Sequence, residues 1–411
     1  MQSVFIILLT LITVVVLLQR KLEIGHAMLA GSVVLTVTTL STPVLFFESV
    51  VKTGRHSNTW EILIALYFVM CLEYQLRTSG LLDKVMAAAR RKLISDKFLL
   101  AGMPAFLGFL PSLGGALFSA PMVENASRRY DMTPEQKTAV NYWFRHIWEY
   151  VNPIMPGLLL TGQITRIPLP DLIQAMSIFV LAAIVIGWFV CLAGIREKTE
   201  IFAGEGEEAE VPVIGTRTAS TGLNPILWTA GPILFNIFLV VFFHLAASVS
   251  MAIVVLLMVL VLRQNAADIK VMLRHGLDRK LLWGIASILL FQQVLHDTGV
   301  LDGVVKMLET YGISALIVAG VLAFVGGILT GTSGGFVALS MPVIVAMSPG
   351  DIVAVSIGFV MGTAGQMLSP MHLCLLVSLR YFGADFSRSM VPVAIMQTLM
   401  FGVLFLRYGV F

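Results

Sequence analysis

Apolar residues fall in long uninterrupted runs joined by short polar connections. Runs long enough to cross a bilayer, which takes about 20 apolar residues, lie at residues 3–19, 25–47, 59–76, 138–165 and 168–195. A second set lies at 223–244, 247–263, 281–297, 351–378 and 389–408. Two more apolar stretches, 98–127 and 313–348, are too broken by Gly and Pro to be plain crossings. One long hydrophilic connection, 196–222, carries Arg196-Glu197-Lys198 and an acidic run from Glu205 to Glu210, and it links two halves, 1–195 and 223–411. The first run has no basic residue before it and Arg20-Lys21 after it. That is the reverse of a secretory signal, so it is read as a span that stays.

The halves share motifs. Thr78-Ser79-Gly80 recurs as Thr298-Gly299, 219 residues on by its glycine. Ser112-Leu113-Gly114-Gly115 recurs as Thr332-Ser333-Gly334-Gly335 at an offset of 220, each followed by Ser-x-Pro. Glu149 to Pro153 recurs as Gln366 to Pro370 at 217. Three matches in one order at a near-constant offset imply duplication.

Charge sets the orientation. With an outside N-terminus and five crossings per half, only Lys52, Arg55, Arg166, Lys306 and Arg407 of the 27 Lys and Arg fall outside. Arg145 lies in a span and the rest fall inside, the bias expected of cytoplasmic loops. Basic residues flank 98–127 at both ends, so it enters and leaves on the cytoplasmic side as a re-entrant hairpin folded at Pro111–Gly115. Its counterpart 313–348 enters from outside. Because five crossings is odd, the second half is inverted relative to the first. The fold class expected is an all-α polytopic membrane protein of two inverted-topology repeats, each with five transmembrane helices and one re-entrant hairpin. Inverted repeats with broken helices characterise secondary transporters.

Composition narrows the function. The chain is 57% hydrophobic and 12% charged, against about 25% charged in a soluble domain, which excludes a cytosolic enzyme or a nucleic-acid binder. Its net charge of +3 says little about partners. Cys71, Cys191 and Cys374 lie in apolar runs with no ligand or disulfide spacing.

Irregular backbone at membrane depth is tolerated only where it lines a cavity or is buried in protein. Four interruptions are predicted: Pro111–Gly115, Asn152–Gly157, Gly331–Gly335 and Gln366–Pro370. Gathered at mid-depth, they would hold an anion on half-helix N-termini and a cation on freed carbonyls. The substrate-contacting candidates are Ser112, Gly114, Gly115, Asn152, Pro153, Thr332, Ser333, Gly334, Gly335, Ser369, Pro370 and His372. Ser112, Thr332 and Ser333 also offer hard oxygens to Na⁺. Asn141, Arg145, Glu149 and Asn152 are spaced to share one helix face. Arg145 and Glu149 either neutralise each other at i,i+4 or serve coupling and substrate charge, with Gln366 the repeat partner of Glu149. His146 points off this face and is read as structural. Glu124 with Asn125 read as a cap, and His296 with Asp297 as solvated. Gly358, Gly362, Gly365 and Ser369 form a small-residue packing face, and 80–95, 265–279 and 299–312 read as interfacial helices.

With hairpins tipped by Ser-Leu-Gly-Gly and Thr-Ser-Gly-Gly, each followed by a span broken at Asn-Pro or Ser-Pro, the chain resembles the Ion Transporter superfamily. Within it the chain is most similar to an integral-membrane family of unknown function. The resemblance implies elevator-type carriage of small anions, commonly di- or tricarboxylates, by homodimers. The superfamily's Na⁺-dependent dicarboxylate carriers have Ser-Asn-Thr at both tips, and this chain lacks the Asn at both. The function expected is secondary active transport of a small organic anion with Na⁺ or H⁺, without a cofactor or nucleic-acid partner, in a bacterial or archaeal cell membrane. The rival is a Na⁺/H⁺-type antiporter in which Glu149 alternates between the cations. An enzyme is not expected, because no nucleophile, metal-protease or nucleotide motif appears.

Overall fold

The computed structural model describes residues 2–81, 96–109, 115–198 and 225–409, which form helices without a single strand. The first half runs α1 (Gln2–Gln19), α2 (Ile24–Thr38), α3 (Pro43–Arg55), α4 (Ser57–Thr78), α5 (Asp96–Gly108), α6 (Gly115–Ser127), α7 (Pro134–His146), α8 (Pro156–Thr165) and α9 (Leu169–Gly187). The second runs α10 (Pro225–Phe243), α11 (Ala247–Val261), α12 (Ala266–Gly276), α13 (Arg279–Asp297), α14 (Val300–Thr310), α15 (Ala315–Thr330), α16 (Ser333–Met347), α17 (Ile352–Leu368), α18 (Leu373–Phe382) and α19 (Phe386–Tyr408). Most of the predicted stretch 80–95 and the linker beyond Lys198 lie outside the described residues.

Among the described residues five segments are long and apolar enough to cross a bilayer: Gln2–Gln19, Ser57–Thr78, Leu169–Leu192, Ile352–Phe382 and Phe386–Tyr408. Shorter apolar helices, among them α2, α11, α15 and α16, accompany them. Phe5, Ile12, Phe242, Leu260 and Leu406 stand exposed along such helices. Apolar exposure on this scale is foreign to soluble monomers and fits a membrane protein.

One predicted span divides. Residues 25–47 are not continuous: α2 stops at Thr38, Leu40 turns left-handed at φ 54°, and α3 restarts at Pro43. Pro43 bars helix at the residue before it and suits the first helical position.

The second half repeats the helix boundaries of the first. Ile24 and Ala247 open α2 and α11, 223 residues apart; Pro43 and Ala266 repeat that offset. Further along, Pro156 with Leu373 and Leu169 with Phe386 are 217 apart. The left-handed residues pair at similar offsets: Lys21 with His244 and Leu40 with Arg263 at 223, Gly80 with Gly299 at 219, and Arg166 with Gly383 at 217. Contacts between halves interchange. Helix α4 packs on α11 and α12, while its counterpart α13 packs on α2 and α3. Likewise α6 meets α18 as α16 meets α8.

Candidate functional site

The helices α7 and α8 form one broken rod. Thr133 and Gln136 make a reciprocal capping box that starts α7, which tightens into a 3₁₀ turn over Ile147–Tyr150. Pro153 cannot donate to the helix. Asn152 fills the gap: its Oδ1 accepts from Ile154 N at 3.3 Å and its Nδ2 donates to Phe109 O at 2.9 Å. Helix α8 then restarts with Pro156 in its first turn. The second rod, α17 and α18, breaks at Ser369–His372. Ser369 Oγ donates to Ile328 O at 2.6 Å and accepts from Met371 N at 3.2 Å. Asn152 and Ser369 are 217 apart, and Phe109 and Ile328 are 219 apart. Unlike side chains at matching positions thus each tie the end of a hairpin's first arm to the break beside it.

The close approach is repeated in backbone. A Cβ on Gly108 would overlap the Arg145 carbonyl oxygen, and one on Gly327 would overlap that of Gly362. Both positions therefore require glycine.

The second hairpin tip reaches both breaks. Gly331 ends α15 left-handed at φ 64°, and Thr332 Oγ1 caps α16 by accepting from Gly335 N at 3.2 Å. A Cβ on Gly331 would lie 3.0 Å from His372 N, and one on Gly157 would lie 2.5 Å from Ser333 Cβ. Beside Gly334 a Cβ would meet nothing within 4 Å. Of the first tip, Ser112 and Gly114 lie outside the described residues, while Gly115 opens α6. Of the three hydroxyls predicted for Na⁺, Ser112 is therefore not placed, Thr332 is engaged in its cap, and Ser333 faces Gly157.

Buried polar groups collect where the rods cross. Gln366 Nε2 donates to Glu149 Oε1 at 3.3 Å, so two positions 217 residues apart meet each other. Glu149 Oε2 and Gln366 Oε1 are buried with no partner. Tyr142 OH donates to Met367 O at 3.0 Å, and Asn141 Nδ2 to Ser378 Oγ at 2.9 Å. Arg145 Nη1 donates to Leu107 O at 3.1 Å. The predicted shared face of Asn141, Arg145, Glu149 and Asn152 is therefore divided. Past His146 each residue turns by about 120° rather than 100°, which swings Glu149 away from the Arg145 stack toward α17.

Sequence reasoning missed one cluster. His146 faces His372 with their Nε2 atoms 3.0 Å apart, and Cys374 stands beside them. The histidines are 226 residues apart, and no local spacing signals their meeting.

Beyond α8 lies a cavity of about 510 Å³ lined by Lys52, Arg55, His56, Gln163, Arg166 and His296, among others. Lys52 pairs with Asp297 at 3.1 Å, so the net positive charge of the lining rests on Arg55 and Arg166.

No curated protein matches the chain. Over residues 1–411 it matches the family described as protein of unknown function DUF401, and the chain belongs to that family.

Proposed function

We propose that this protein is a secondary active transporter that moves a small organic anion, a carboxylate, coupled to Na⁺ or H⁺. The observation that carries the reading is the meeting of interrupted backbone from both halves at one buried place, with Glu149 set against Gln366. Reciprocal packing between the halves, together with the motif repeats in the sequence, supports inverted repeats and kinship with the Ion Transporter superfamily. In this reading α5 to α8 and α15 to α18 form the moving body. The remaining helices form a scaffold and the homodimer contact, and the moving body slides as an elevator.

The cavity supports an anionic substrate. Lys52, Arg55 and Arg166, three of the five basic residues assigned to the outer face, line it. Helix α8 leads from there to Gly157 at the hairpin tip, a rise of about 9 Å over six residues from Gln163. With Lys52 offset by Asp297, Arg55 and Arg166 supply the net positive field, and such a field in a cleft raises the local concentration of its counter-ion.

The rival, a cation antiporter without organic substrate, draws on Glu149 Oε2 and Gln366 Oε1. These two unpartnered buried oxygens suit a proton or Na⁺. Purified protein in liposomes separates the readings. Counterflow of a labelled carboxylate, driven by a Na⁺ or pH gradient, is the result expected. Na⁺-driven proton movement with no carboxylate uptake would establish the rival instead.

A further inference from the structure

We propose that His146, His372 and Cys374 form a binding site for a borderline transition-metal ion of the Zn²⁺ type, held at the crossing of the two broken rods. One ring nitrogen of each histidine and Cys374 Sγ lie within 4.8 Å of one another, and both histidines are buried. Zinc bonds of about 2.0 to 2.3 Å in tetrahedral geometry set ligand pairs roughly 3.3 to 3.7 Å apart. The two Nε2 atoms, at 3.0 Å, are a few tenths of an ångström inside that spacing, and Cys374 Sγ stands within 4.8 Å of the cluster.

The hydrogen bonds prepare the ligands. His146 Nδ1 lies 2.6 Å from the Tyr142 carbonyl oxygen, which can only accept, so Nδ1 carries the proton and Nε2 presents its lone pair. A backbone carbonyl on the far nitrogen is the support that ligating histidines commonly have. The hydrogen bond between the rings then requires the proton on His372 Nε2. That leaves His372 Nδ1 bare, and it is buried with no partner. When the ion binds, it replaces the proton between the rings. His372 shifts to its other tautomer, filling that bare nitrogen, and the Cys374 thiol releases its proton to solvent.

This donor set has the softness and count of a zinc or copper site rather than of a Mg²⁺ or Ca²⁺ site. Three protein ligands leave a fourth position open to water or a substrate carboxylate. His146 closes α7, whereas His372 and Cys374 flank the start of α18. An ion there fastens the first rod to the second. The site does not depend on the transport reading, and its test reads metal alone.

Full-length protein purified in detergent, stripped with chelator, is titrated with Co²⁺ as a spectroscopic substitute for Zn²⁺. The expected result is a saturable near-ultraviolet thiolate-to-cobalt band with the visible bands of four-coordinate cobalt, both abolished by added Zn²⁺. Cys374→Ser should remove the thiolate band while leaving the elution profile unchanged, and His372→Gln should weaken binding by about tenfold or more. Absence of the cobalt spectrum in the wild type would overturn the proposal. So would an undiminished band in Cys374→Ser, or a band lost in Cys191→Ser instead.

Discussion

Replacing Glu149 by Gln should make the protein more stable and, on the proposed transport reading, remove coupling to protons. Glu149 Oε1 accepts from Gln366 Nε2 at 3.3 Å, whereas Glu149 Oε2 and Gln366 Oε1 face no donor. An amide at this position supplies the missing donor. The introduced amide and that of Gln366 can then exchange two hydrogen bonds in a reciprocal pair, with no buried oxygen left over. A buried polar group without a partner costs about 1 to 3 kcal/mol, and a net hydrogen bond contributes about 0.5 to 1.5. The variant should therefore gain about 1 to 3 kcal/mol. In a chain of this size one kcal/mol moves the melting temperature by about 2 to 4 °C at most, so a rise of a few degrees is expected in detergent. Glu149→Ala, which leaves the Gln366 amide unpaired, should shift the melting temperature the other way. In liposomes the Glu149→Gln variant should lose the pH dependence of flux. A fall in melting temperature, or wild-type pH dependence, would refute the assignment of this pair as the coupling centre.

Gly327→Ala should cost about 1 to 3 kcal/mol or more through overpacking, because its Cβ would lie 2.6 Å from Gln366 N and overlap the Gly362 carbonyl; thermal unfolding measures it, and Gly334→Ala, with open space around it, is the neutral control. Gly334→Val should block uptake without reducing membrane insertion, and wild-type uptake by that variant would remove the hairpin tip from the site. Asn152→Ala and Ser369→Ala each withdraw the donor from one arm-end carbonyl, so each should lose a similar amount, about 1 to 3 kcal/mol; a large effect from only one would break the equivalence. Exchanging the pair, as Glu149→Gln with Gln366→Glu, should keep wild-type stability and restore pH-dependent flux that Glu149→Gln alone lacks.

The breaks were legible because proline and glycine act locally. Pro153 and Pro370 each withdraw an amide donor from the helix ladder, and Gly331 takes a left-handed φ that other residues resist. Glu149 and Gln366 stood out as charge and amide inside spans. What was not legible depends on backbone detail or on distance along the chain. The 3₁₀ turn after His146 has no strong residue code, yet it redirects Glu149. His146, read as structural, acquires its neighbours only when the two rods cross. The repeat among α1–α3 and α10–α12 has no matching motif. Lys21 corresponds to His244 and Leu40 to Arg263, unlike residues in the same left-handed conformation, so the backbone kept a correspondence that the side chains lost.

The divergence between matched positions has a physical reason at the crossing. In the proposed inverted repeat a residue near the two-fold axis meets its own counterpart, as Glu149 meets Gln366. Were both carboxylates, two like charges would face each other at hydrogen-bond distance in a buried setting, and only one could ionise. Replacing one by an amide keeps the shape and supplies a donor, while a single titratable oxygen pair remains. Away from the crossing no such conflict arises. Gly108 and Gly327 could stay identical, because each meets only backbone. Asn152 and Ser369 could drift within the set of side chains able to donate to a carbonyl. The chemistry of the site is thus asymmetric where its geometry is most symmetric, and that asymmetry limits any cation the crossing binds to one carboxylate.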